Sequence, residues 1–134
     1  MSYREKFISK SKDIFEEQLK LRQAQQKAYN LIDNYFKYIF DALRAEEEVS
    51  NREISFEILE SAWSISLKNT SLKVIYKKDQ ITVQIRPLGL GYNDTIVLEE
   101  YTYIYKSKKF SKELSEELLD LYLKEAFDSL LTQI

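Results

Sequence analysis

Trp63-Ser64-Ile65-Ser66-Leu67-Lys68-Asn69-Thr70-Ser71-Leu72-Lys73-Val74-Ile75-Tyr76-Lys77-Lys78-Asp79-Gln80-Ile81-Thr82-Val83-Gln84-Ile85 is the stretch whose reading decides the fold. Apolar residues fall at every second position: Trp63, Ile65 and Leu67, then Leu72, Val74 and Tyr76, then Ile81, Val83 and Ile85. This is the period of half-buried strands. Turn-like breaks separate the runs at Lys68–Ser71 and Lys77–Gln80. Connections this short join antiparallel neighbours, because a parallel pair needs a long crossover.

The alternation extends outward on both sides, over about residues 53–106. On the C-terminal side a long last strand is expected from Thr95 to about Lys106. On the N-terminal side Ile54, Phe56 and Ile58 alternate as in a strand. Ser50 and Glu53, however, have the spacing of a capping box with Ile54, Ile58 and Ala62 following helically. A strand with a bulge near Leu59-Glu60 is the preferred reading. The expectation is a meander of 4–5 strands.

Residues 1–48 have neither glycine nor proline and are rich in Glu, Lys, Gln, Leu, Ala and Arg, all strong helix formers. Phe7, Ile14, Leu21, Ala28 and Tyr35 recur every seven residues, and Ile32, Phe36, Ile39 and Leu43 fill the same side. One helix of this length reaches about 70 Å at 1.5 Å per residue. A compact domain of this size is only about 36 Å across. Either the helix breaks near Arg22–Lys27 or one half projects. Gln, Ala and Lys oppose a break. Ser11, Gln18 and Gln25 make the seam of the first half partly polar, whereas Ile32 and Ile39 make that of the second apolar. A continuous helix follows, its C-terminal half in the core and its N-terminal half loosely attached. After the sheet, a helix over 111–132 capped by Ser111 presents a broad face of Leu119, Tyr122, Leu123, Ala126, Phe127 and Leu130. The order is that of an α+β protein in a single domain, 1–134, with the C-terminal helix packed on the sheet.

Composition narrows function more than any motif does. The 134 residues contain no histidine and no cysteine. Histidine-based triads, thiol nucleophiles, disulfides and zinc sites built on those ligands are therefore excluded. The net charge of -2 points to no dominant electrostatic partner. Codon-type composition (many Lys, Ile, Tyr and Phe, few Gly and Pro) points to an A/T-rich genome. The expected setting is cytoplasmic, with no signal peptide, no membrane span and no cofactor or metal.

Three features stand out as candidate sites. Tyr101, Tyr103 and Tyr105 share one face of the expected last strand, a tyrosine ladder suited to protein contact or base stacking. The plainer reading packs the ladder under the first helix, with its hydroxyls at the rim. Next, Lys68, Lys73, Lys77, Lys78 and Arg86 line the strands, with Lys106, Lys108, Lys109 and Lys112 near the sheet-to-helix junction. They form a basic rim of the kind that binds single-stranded nucleic acid, or one that protects sheet edges from pairing. Last, both glycines and the only proline sit in Arg86–Asp94, where Leu88, Leu90 and Tyr92 offer apolar contact surface or structural anchors. Carboxylates alone can hold Mg²⁺, and Asp94, Glu99 and Glu100 are near one another in sequence, but adjacent Glu99 and Glu100 point to opposite faces of a strand. The expected function is a non-catalytic protein that binds another protein through Tyr101, Tyr103, Tyr105, Leu88, Leu90 and Tyr92, with self-association through the first helix. The alternative is a nucleic-acid binder using Lys77, Lys78, Arg86, Lys106, Lys108 and Lys109.

Overall fold

A computed structural model describes residues 2–86 and 91–133. The chain begins with α1 (Tyr3–Ala42) and α2 (Arg44–Val49). Strands β1 (Ile54–Ile58), β2 (Ala62–Leu67), β3 (Thr70–Tyr76), β4 (Gln80–Arg86), β5 (Tyr92–Leu98) and β6 (Tyr105–Ser107) follow, and α3 (Glu116–Thr132) comes last. The six strands form one antiparallel meander in sequence order. It has more strands than the sequence pattern predicts, because the expected long last strand reverses and becomes β5 and β6. Residues 59–61 turn the chain between β1 and β2 instead of bulging within one strand.

α1 runs unbroken through Arg22–Lys27, as the local propensities require. The Ser2 hydroxyl caps its N-terminus by accepting from the Glu5 amide at 3.2 Å. It ends at Leu43, earlier than the expected Glu48, where the Leu43 amide is shared between the Ile39 and Phe40 carbonyls. The chain then swings into α2, whose Glu47 carboxylate accepts from the Phe56 amide at 2.9 Å. β1 is an outer strand, so this contact satisfies a donor that would otherwise be open to strand addition. At the other edge, the short β6 is covered by a bridge between Lys106 and Glu113.

Register places the inward side chains on one sheet face: Phe56 opposite Ile65, Trp63 opposite Val74, Leu72 opposite Ile85, and Ile81 opposite Ile96. α3 packs on this face over β3 and β4. The C-terminal half of α1 lies beside it and buries Ala28, Ile32, Phe36 and Phe40. Phe36 stacks on Trp63 with ring centroids 6.3 Å apart, and Phe40 stacks on Phe56 at 4.6 Å. The fully buried Trp63 indole donates to Asp33 Oδ1 at 2.9 Å, so its one polar atom is satisfied. Between the helices, the Tyr35 hydroxyl donates to Asp120 Oδ1 at 2.6 Å. The opposite sheet face carries Ser64, Ser66, Ser71, Lys73, Thr82, Gln84, Asn93 and Thr95, none of them buried. The result is a two-layer α+β arrangement with the helices on one side.

The C-terminal helix starts four residues later than expected. Ser115 is the cap, accepting from the Leu118 amide at 3.2 Å, while Ser111 adopts φ 54 in the preceding loop. That loop brings Leu114 into the core and lets its amide donate to the Tyr105 carbonyl at 2.8 Å. At the other end of β4, Gly91 is sterically required. A Cβ there would lie 2.7 Å from the Ile85 carbonyl oxygen.

Candidate interaction surfaces

The tyrosine ladder does not exist as a ladder. Tyr103 adopts φ 56, and its amide donates to the Glu99 carbonyl at 3.0 Å, closing a turn where a continuous strand was expected. The chain reverses, and Leu98 pairs across the hairpin with Tyr105. Reversal changes the parity. Tyr105 now shares the inward face with Ile96 and is buried, its hydroxyl donating to the Lys78 carbonyl at 2.6 Å. Tyr101 stands at the turn, 95% exposed. Tyr103 reaches α1 and donates to the Glu17 carboxylate. Three residues expected on one surface therefore occupy three environments. The plainer expectation, packing against the first helix, holds for Tyr103.

Three of the basic residues, Arg86, Lys106 and Lys109, have side-chain partners. Lys106 lies 3.6 Å from Glu99, and Lys109 lies 3.9 Å from Glu125. The Lys109 ammonium also sits 3.6 Å above the Tyr92 ring, a cation–π contact. Burial, followed by the charges of Glu125 and Asp94, pushes the Tyr92 hydroxyl up to about 12. Arg86 donates to Asn93 Oδ1 and to the Ile85 carbonyl, each at 3.0 Å. Lys77 and Lys78 occupy the exposed β3–β4 turn, where the Lys78 carbonyl holds Tyr105 and Gln25. Lys108 is exposed beyond β6. Leu88 and Leu90, the remaining apolar candidates, lie outside the described residues.

Asp94 is a functional-looking residue with a structural task. It follows the inward parity of Ile96 and is buried on β5. Its Oδ2 accepts from Ser107 at 2.6 Å and from the Tyr122 hydroxyl of α3. Its Oδ1 accepts from the amides of Thr95 at 2.8 Å and Lys109 at 3.1 Å. Burial alone would raise its pKa. The four hydrogen bonds outweigh that and hold the carboxyl below its ordinary value of 3.8. Tyr122 moves the other way: burial and then the Asp94 hydrogen bond push its hydroxyl far above the usual phenol range. The network ties β5, β6 and α3 together. Among the described residues, no three carboxylates gather into a possible cation site.

Two open surfaces are apolar. Tyr3, Phe7, Ile8, Ile14, Phe15 and Leu19 on the N-terminal half of α1 range from 49% to 79% exposed. Phe7, Ile14 and Leu21 carry this stripe toward Ala28, so it continues the face that the sheet covers further along. A second apolar region is a cleft of about 570 Å³ between the C-terminal ends of α1 and α3 and the sheet. It is lined chiefly by Ile39, Leu43, Ile65, Leu67, Leu123 and Phe127, with Lys124 and Asp128 beside it. Sequence reading missed the cleft because its walls come from segments distant in the chain. Of the arm's stripe it named Phe7 and Ile14, as the first members of the heptad pattern.

No protein-family model, no curated protein and no solved structure matches the chain. Among the described residues, no helix is long and apolar enough to cross a membrane.

Proposed function

We propose that this chain is a non-catalytic protein-binding module whose N-terminal arm is the docking element. The observation that carries this reading is the bare stripe of six large apolar side chains on the arm. Contiguous exposed apolar surface on this scale is what macromolecular interfaces use, whereas isolated exposed apolar residues are ordinary. Carrying it on a helix lets a partner read anchors at i, i+4 and i+7 spacing. The contact surface therefore shifts from the tyrosine turn to α1, with Tyr101 and Tyr92 outside it. A cytoplasmic setting belongs to the same proposal and is checked by cell fractionation.

Single-stranded nucleic acid draws less support, since Lys106 and Lys109 are partnered by carboxylates and Tyr105 is buried. Binding to labelled oligonucleotides that weakens steeply with salt would favour it over the protein-partner reading. For the protein-partner reading, the test compares proteins retained by wild-type bait and by Ile14→Lys/Phe15→Lys bait. Both substituted residues are exposed, so the fold is retained and circular dichroism checks that it is. The proposal expects the specific partner to be lost from the variant. An identical set of retained proteins on both baits contradicts it.

A further inference from the structure

Resting on the reading of the arm as a docking element, we propose that its partner is a second copy of this chain, bound antiparallel about a two-fold axis at Ser11. The symmetry of the stripe points to this pairing. Ile8 and Ile14 lie three residues on either side of Ser11, Phe7 and Phe15 four, and Tyr3 and Leu19 eight. Among the described residues, these six are all of the large apolar ones exposed on the arm. At about 100° per residue they span an arc of roughly 160°, with Ser11 at its centre. A two-fold interface must present a patch complementary to itself, and an antiparallel helix pair meets that condition when its apolar positions are palindromic. Each isoleucine then meets an isoleucine, each phenylalanine a phenylalanine, and the small Ser11 side chain allows close approach at the axis.

Direction follows from the rest of the fold. The stripe leads into the face that the sheet covers at Ala28, Ile32, Phe36 and Phe40. A parallel partner laid on the stripe would run into that sheet, whereas an antiparallel one points away from it. The palindrome also stops where the body begins. Its last member is Leu19, and by Gln25 the helix already contacts the β3–β4 turn, with the Gln25 amide donating to the Lys78 carbonyl. Six such side chains from each of two copies expose on the order of 1,400 Å², within the roughly 1,200–2,000 Å² of a stable interface. The Tyr103–Glu17 contact lies off the stripe on the helix flank and does not obstruct it. Lys6 falls opposite Glu16 of the other copy, while Lys10 and Lys12 bring like charges near the axis. Attraction and repulsion nearly offset, so apolar burial carries the pairing and moderate salt leaves the dimer intact.

The absence of cysteine makes single introduced cysteines clean reporters. Under mild oxidation, Ser11→Cys should become predominantly a disulfide-linked dimer. Arg4 and Gln18 lie seven residues on either side of Ser11 within the apolar arc. Arg4→Cys alone and Gln18→Cys alone should stay unlinked, and a mixture of the two should crosslink. Light scattering on wild type at high micromolar concentration should give twice the chain mass, and Ile14→Lys/Phe15→Lys should give the single mass. Crosslinking of Arg4→Cys with itself would overturn the antiparallel register. A monomeric wild type that forms no Ser11→Cys dimer would overturn self-pairing altogether. If that monomer still loses a captured partner through Ile14→Lys/Phe15→Lys, the docking reading stands without this inference. If capture is also unaffected, both fall.

Discussion

The two halves of α1 share one helix and one continuous stripe, yet their surroundings are opposite. From Ala28 to Phe40 the stripe is sealed beneath β2 and β1, with Trp63 and Phe56 stacked on it. From Tyr3 to Leu19 the same kind of stripe lies bare, its large side chains 49% to 79% exposed. Apolar periodicity thus reports the need for a partner surface without saying which molecule supplies it. A 17-residue amphipathic helix is marginal alone in water, because helical stability comes mainly from packing. The arm therefore depends on continuity with the buried half and on whatever docks against it.

The largest expected contrast comes from removing one ring in each half. Phe36→Ala should cost about 3–5 kcal/mol, the usual loss for a buried phenylalanine. Phe15→Ala should cost under about 0.5 kcal/mol at dilute, monomeric concentrations, as surface changes do. Urea titration of both variants measures the difference. Equal losses would mean that the arm belongs to the core after all.

The next effect tests whether the buried body depends on polar as well as apolar contacts. Asp94→Ala should cost about 3 kcal/mol, because it strands Tyr122, Ser107 and two amides. Its linkage has a definite sign. The Asp94 carboxyl is held below 3.8 when folded, so its stabilisation is fully present above that value. It is lost as the pH falls through the lower folded value. Asp94→Asn should therefore weaken the protein at neutral pH and flatten its acid limb, as followed by urea midpoints down to about pH 2. An acid limb identical to that of wild type would remove Asp94 from this role.

The smallest effect compares the two helix caps. Ser115→Ala should lower global stability by about 1 kcal/mol, since α3 is core. Ser2→Ala removes the same kind of bond from the arm and should leave the global midpoint unmoved, fraying only the first turn. Thermal melts of the two variants sharpen the division between a helix end that is packed and one that is not.

Much of this architecture was legible in the sequence. The period-2 runs from Trp63 to Ile85 placed three strands, their turns and their inward faces. The run of helix formers across Arg22–Lys27 correctly kept α1 whole. What escaped was set by contacts between segments distant in the chain. Nothing in Glu99-Glu100-Tyr101-Thr102-Tyr103-Ile104 announces a turn, because no glycine, proline or asparagine marks it. The positive φ of Tyr103 is held by the Glu99 carbonyl and the arm's Glu17. That single reversal dissolved the tyrosine ladder. Ser111 and Ser115 are both plausible caps by residue type, and the choice between them follows from burying Leu114. Asp94 could have been found: it shares parity with Ile96 and Leu98, and an acidic residue in phase with a core face signals a buried network.

Hydrogen exchange along α1 at two protein concentrations tests the division of the helix most directly. Amides of 28–40 should exchange only on global unfolding, at the same rate in both samples. Amides of 5–19 should exchange quickly when dilute and become protected as concentration rises. Equal protection of both halves at every concentration would contradict that division.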